Sequence, residues 1–178
     1  MARFLLSAMP FTGHINPISA VATALIARGH DVRVYSGAAF RAVIESTGAR
    51  LVPWRHAPDF DENDLAATFP RLRGRKGIRQ LLVNVEEVFI KTAVAQVQDL
   101  QDEWAREPWD VIAGDDVSIG AALYAAQNGG PWATVSITPL NLFGPQGPPS
   151  GLGLWPGTNP ITKARDAALR ATAPLLAR

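Results

Sequence analysis

The 178-residue chain contains no cysteine, which removes disulfides, thiolate nucleophiles and cysteine-based zinc sites together. Histidine is nearly as scarce. His14, His30 and His56 lie too far apart in sequence to form a local His-x-x-x-His metal pair. An excess of charge of one sign is missing too: seventeen basic side chains face sixteen acidic ones, for a formal charge of +1. Such a balance gives no global attraction to nucleic acid or to an anionic membrane surface. No uninterrupted apolar run is long enough to span a bilayer. Phe4 to Ala27 carries no formal charge, but Pro10, Thr12, Gly13, His14, Asn16 and Pro17 divide it into two elements joined by a turn. A cleaved leader is not expected either, because only Arg3 precedes the apolar run and no small-residue cleavage site follows it. The expectation is a soluble, cytoplasmic chain.

What is present is globular. Hydrophobic residues make up 47% and charged residues 19%, at a length that suits one domain with its own core. Ala2 to Met9 reads as a first strand. Asn16-Pro17 is a helix-start signal, followed by Ile18, Val21, Ala22 and Leu25 at helical spacing and closed by Gly29. Asp31 to Ser36 reads as a second strand, Ala38 to Thr47 as a short helix, and Arg50 to Trp54 as a third strand. After a detour come a strand at Trp109 to Gly114, a helix at Ser118 to Asn128 and a strand at Trp132 to Ile137. Strands alternating with helices across short links predict an α/β fold, an open parallel sheet with helices on both faces.

The detour is polar and irregular from Ala57 to Gly77, and then one long amphipathic helix is expected from Ile78 to Trp104. Asp59-x-Asp61-x-Asn63 begins like a calcium loop but has Asp64 where glycine is required and Pro70 where glutamate is required. The basic stretch from Arg71 to Arg79 lacks interleaved aromatics and reads as a solvated loop. From Val117 to Thr162 there is no charged residue, and Asn159-Pro160 opens a last helix that Pro174 should kink or end. The division expected is a domain over 1–160 and a trailing helix over 161–178.

The turn after the first strand, Pro10 to Pro17, is the most informative piece. In open parallel sheets ligands bind at the carboxyl ends of strands. A dinucleotide fold would put Gly-x-Gly-x-x-Gly here, and a phosphate loop Gly-Lys-Ser/Thr; this turn has only Gly13, and offers a histidine instead. A histidine just before a helix N-terminus feels the positive end of the dipole, which favours the neutral form that a general base needs. The plainer alternative is a histidine that merely ties the turn together. A base of this kind takes its orientation from a partner, and Asp115 and Asp116 lie beyond the fourth strand at the same edge. One of them is also a candidate cap for the next helix.

Phe11-Thr12-Gly13-His14-Ile15-Asn16-Pro17 resembles the Gly-His-x-x-Pro turn of the inverting, GT-B fold glycosyltransferases of family 1, and the closest flavour is the bacterial group acting on macrolides and polyketides. Arg28-Gly29-His30-Asp31-Val32 resembles that family's passage into the second strand, and Trp109 to Asp115 its fourth strand, which ends in the acid paired with the catalytic histidine. The resemblance implies a Rossmann-like acceptor-binding domain, one half of a GT-B fold. His14 would take the proton of an acceptor hydroxyl and Asp115 would hold His14, with Asp116 a rival one residue on. His30 matches a structural position, and His56 lies in the variable loop. Phe11, Phe60, Phe89, Leu140 and Phe143 are candidates for an apolar acceptor cleft, although Phe89 also fits a core position.

The motifs of a donor-binding second domain do not occur in this sequence. The expectation is therefore an N-terminal half, as a truncated piece or a natural one, inactive by itself. The whole enzyme would move a sugar from a nucleotide-diphosphate sugar to a hydroxyl of a lipophilic natural product, with inversion. No cofactor, metal, nucleic acid or membrane span is expected. The alternative is a non-catalytic small-molecule or partner-binding module of the same fold.

Overall fold

The computed structural model describes residues 1–137, 147–149 and 154–176, the side chains of Ile78 and of 173–176 excepted. The chain divides into two compact units, Met1–Ile137 and Thr138–Arg178. In the first, five strands form one sheet, all parallel: β1 (Arg3–Ser7), β2 (Asp31–Ser36), β3 (Arg50–Pro53), β4 (Val111–Asp115) and β5 (Trp132–Val135). Their spatial order is β3-β2-β1-β4-β5, with Phe4 of β1 opposite Val32 on one side and Val111 on the other.

Side chains alternate across the sheet and feed two separate cores. Leu6, Val32, Val34 and Ala113 pack against Ile15, Ile18 and Ala22 of α1 (Thr12–Ile26) and Ile44 of α2 (Arg41–Ser46). Leu5, Tyr35, Val52 and Ile112 belong to the other core, with side chains of α5 (Ala93–Arg106) and α6 (Ile119–Asn128). A parallel sheet covered on both faces is the architecture expected from near-continuous apolar strands joined by helices.

Three local expectations are corrected. Helix α1 starts at Thr12, before Asn16-Pro17, and takes Pro17 inside it. The cap comes from a distant residue, since the Glu62 carboxylate accepts the Thr12 backbone N–H at 2.9 Å and also the Thr12 hydroxyl. The loop from 57 to 77 is partly ordered into α3 (Leu65–Thr68), capped by Asp64, and a 3-10 turn at Pro70–Leu72; it buries Phe60, Phe69 and Leu72. The long helix is not continuous. It consists of α4 (Gly77–Asn84), a π-helical turn at Val85–Ile90, and α5. In that turn Lys91 N–H reaches back to the Glu86 carbonyl, and Arg71 and Lys91 both pair with Glu86 and Glu87.

Two buried polar clusters tie α5 to the sheet. Asp99, 5% exposed, accepts the Tyr35 hydroxyl at 2.7 Å and the backbone N–H groups of Arg55, His56 and Ala57, which fixes the chain leaving β3. Burial and the Asp99 carboxylate hold the Tyr35 phenol far above its ordinary range. Arg33, 2% exposed, donates to Glu103 at 2.7 Å and to the Glu107 carbonyl, and its guanidinium lies over Trp109.

In the second unit α7 runs over Pro160–Leu176. The Asn159 carboxamide accepts Thr162 N–H at 2.9 Å, as the Asn-Pro signal requires. The helix continues past Pro174, where an end was one of the two expected outcomes.

Candidate functional site

β1 sits at the centre of the sheet, where the connections diverge: β1 continues through α1 to β2 on one side, and its other neighbour is β4. Such a switch point opens a crevice at the carboxyl ends of the two strands. His14 stands in the first turn of α1, rather than just before it, and Asp115 is the last residue of β4. Their side chains meet, with Nδ1 of His14 3.0 Å from Oδ2 of Asp115. The carboxylate is fully buried, while the imidazole keeps 17% of its surface open.

Asp115 is anchored on both oxygens. Oδ2 also accepts the Met9 backbone N–H at 2.9 Å, and Oδ1 accepts that of Val117 at 2.9 Å. An ionised carboxylate is acceptor-only, so the neutral imidazole carries its proton on Nδ1 and presents the Nε2 lone pair. No hydrogen bond to Nε2 occurs among the described residues. The pair is thus arranged to take up a proton at Nε2 and to hold the resulting cation against a fixed negative charge. Asp116 is directed elsewhere: it accepts from the Ser136 hydroxyl at 3.4 Å. Asp115 does not cap α6 with its side chain; that helix starts from Ser118.

Around the imidazole the aromatics form a chain of contacts. Phe11 lies 5.7 Å from the His14 ring, 5.2 Å from Phe60 and 5.8 Å from Phe89 between centroids, and Phe89 is 6.4 Å from His14. Phe11 and Phe89 are half-buried, whereas Phe60 is packed between Trp54 and Phe69. Leu140 and Phe143 lie outside the described residues. On the β5 side a cavity of about 310 Å³ opens beside Asp115, lined by Ser118, Leu123, Trp132 and Thr134 among others.

The other two histidines are elsewhere. His30 Nδ1 accepts the Ala2 backbone N–H at 3.2 Å, and His56 pairs with Asp102 at the surface. Among the described residues no group of three or more His, Asp or Glu is disposed to hold a metal ion, and no helix is long and apolar enough to cross a membrane. Glu62, which caps the His14 helix, escaped the sequence reading because its partner is fifty residues away. Asp99 and Glu103 left a signal: they fall among Val97 and Leu100 on the apolar side of an amphipathic helix.

No family model matches the chain. Over 169 residues, 95% of this chain and 40% of the relative, it is 34% identical to 4'-demethylrebeccamycin synthase of Lentzea aerocolonigenes. Its fold matches the calicheamicin glycosyltransferase CalG4 with a TM-score of 0.62 at 20% identity, covering 76% of this chain and 32% of that one. The chain is homologous to one domain of the GT-B glycosyltransferases. SsfS6, a Streptomyces sp. SF2575 glycosyltransferase solved in complex with thymidine diphosphate, has a TM-score of 0.60 at 20% identity, covering 76% of this chain and 38% of that one. These structural likenesses show the fold: a five-stranded parallel sheet flanked by helices, matching one half of a GT-B glycosyltransferase. The chain spans 40% of the length of its rebeccamycin relative.

Proposed function

We propose that this glycosyltransferase domain is the N-terminal, acceptor-binding half of an inverting enzyme, with His14 as general base and Asp115 as its orienting partner. The observation that carries the reading is the 3.0 Å contact between Nδ1 of His14 and a buried carboxylate at the tip of the neighbouring strand. It leaves Nε2 as the basic atom at the ligand-binding edge of the sheet. The acceptor hydroxyl gives its proton to Nε2 as its oxygen forms a bond to the anomeric carbon. The bond from that carbon to the nucleoside diphosphate breaks on the opposite face, which inverts the configuration. The Asp115 carboxylate stabilises the imidazolium until the proton is lost to water. Proton abstraction of this kind contributes about 10²–10⁴-fold, and positioning of the two substrates supplies much of the remainder.

The acceptor in this reading is a lipophilic natural product resting on Phe11 and Phe89, with Phe60 behind them. The donor is a nucleotide-diphosphate sugar, held mainly by a second domain; that the donor is a nucleotide sugar is supported by SsfS6, a glycosyltransferase solved with thymidine diphosphate. No metal takes part, the 178 residues alone are inactive, and a cytoplasmic location goes with the donor. The test is His14→Ala in an enzyme that joins this domain to a donor domain. Transfer should fall by at least about 10²-fold with an unchanged circular dichroism spectrum, and turnover near the parent rate overturns the assignment.

A further inference from the structure

Helix α1 begins on a residue poorly suited to begin one. Its N-cap is Phe11, whose side chain gives the first turn no hydrogen bond, and no acidic residue stands in that turn. Ser, Thr, Asp or Asn ordinarily supply the missing acceptor at this position, and an acid in the first turn complements the helix dipole. Gly13, a poor helix former, directly precedes His14. The Phe11 carbonyl accepts the N–H groups of His14 and Ile15, each at 2.9 Å. That of Thr12 depends on the Glu62 carboxylate, which accepts it at 2.9 Å and takes the Thr12 hydroxyl on its other oxygen. The turn that carries His14 is thus closed from outside, by a loop fifty residues further along the chain.

That loop is itself held in place. Asp99 accepts the backbone N–H groups of residues 55–57, and Asp59 accepts those of Ala38 and Phe60. Phe60, two residues before Glu62, packs against the Phe11 ring, so ring and carboxylate grip the two residues that precede Gly13-His14. Among the described residues the imidazole has one hydrogen bond, to Asp115. A ring held at one atom can still pivot about it, and the direction of Nε2 is then set by the backbone of the turn. We infer that Glu62 is a positioning residue for His14: by bracing Thr12 it fixes the turn from which the imidazole projects. The inference rests on the reading of His14 as the base, and its variants leave both His14 and Asp115 in place.

The test is Glu62→Ala, with Glu62→Gln as its conservative partner, since a carboxamide oxygen can still accept Thr12 N–H while its amide donates to the hydroxyl. In the isotope-labelled 178-residue chain, hydrogen exchange at the His14 and Ile15 amides should quicken about fivefold in Glu62→Ala, the change that corresponds to a lost helix cap. The two ring nitrogens of His14 should move toward the tautomer-averaged NMR shifts of a free imidazole. In an enzyme joining this domain to a donor domain, Glu62→Ala should lower kcat roughly three- to tenfold at an unchanged donor KM, and Glu62→Gln should restore most of the loss. Ring-nitrogen shifts and kcat that both match the parent in Glu62→Ala would overturn the inference, as would a glutamine variant no better than alanine. A lowered melting temperature as the sole effect would also overturn it, since that is the mark of a plain structural cap. Parent-like turnover in His14→Ala would instead count against the base assignment, and the exchange and ring-nitrogen results would still decide whether Glu62 braces the turn.

Discussion

Asp115→Ala should cost the fold considerably more than His14→Ala, although the two side chains form one pair. The Asp115 carboxylate has no exposed surface and holds three donors: the N–H groups of Met9 and Val117, each at 2.9 Å, and the imidazole at 3.0 Å. Met9 is 1% exposed, so water cannot replace the carboxylate there, and an orphaned buried donor costs about 1–3 kcal/mol. Val117 is half-buried, and its N–H can regain part of its loss from solvent. With the lost packing, Asp115→Ala comes to about 3 kcal/mol. His14→Ala removes one hydrogen bond and some contact with Phe11 and Phe89, while Asp115 keeps both amide donors. About 1 kcal/mol is expected for that change. Urea unfolding followed by circular dichroism measures both, and the difference corresponds to roughly thirtyfold in the folding equilibrium. Equal midpoint shifts, or a larger one for His14→Ala, would refute the anchoring role of the carboxylate. If the pair acts as proposed, lost activity in Asp115→Ala would mix unfolding with chemistry, whereas His14→Ala would isolate chemistry.

Other substitutions probe the frame around the pair. At Gly120 an added Cβ would meet the Cβ of Gln96, its Oε1 at 2.6 Å and the Ala93 carbonyl oxygen at 2.9 Å, so α5 and α6 must separate. Overpacking of about 1–3 kcal/mol outweighs a helix-propensity gain of at most about 1 kcal/mol, and Gly120→Ala should lower the melting temperature; a rise would count against the close approach. Tyr35→Phe should cost about 1.5–3 kcal/mol, the value of a hydrogen bond to a charged group. Because the native phenol is raised, stability from Tyr35 is complete below the unfolded value near 10 and is lost as pH rises above it. The phenylalanine variant should therefore show a shallower alkaline loss between pH 9 and 11, and identical slopes would contradict that. Arg33→Met leaves buried Glu103 with Arg106 as its remaining ionic partner and should cost about 3 kcal/mol, of which Arg33→Met combined with Glu103→Leu recovers a large part. A double variant no more stable than the single one would show that the buried charge was not the source of the loss.

The order of elements was readable because each strand is a short apolar run and most helices carry their own start or stop residues. Gly29 is an example: its φ of +79° is the left-handed turn that ends α1 in the sequence reading. The features that escaped depend on partners distant in sequence. The start of α1 is set by Glu62 from another loop, so the local Asn-Pro signal misplaced it. The π turn leaves the apolar periodicity of 78–104 almost unchanged, because one extra residue in one turn shifts the stripe without interrupting it.

The site divides along the same line. His14 could be placed at the strand-end edge from the Gly-His-x-x-Pro turn, whereas choosing Asp115 over Asp116 required knowing which residue ends β4, since adjacent residues of a strand point to opposite faces. The structure supplies that parity: Asp115 is the last hydrogen-bonded residue of β4, opposite Val135 of β5, and its side chain turns back under Met9. The same carboxylate therefore closes the chain after β1, closes the turn after β4 and orients the imidazole. A residue with three simultaneous partners cannot be exchanged for its neighbour without losing all three, so one slip of β4 register would dismantle the switch point along with the pair.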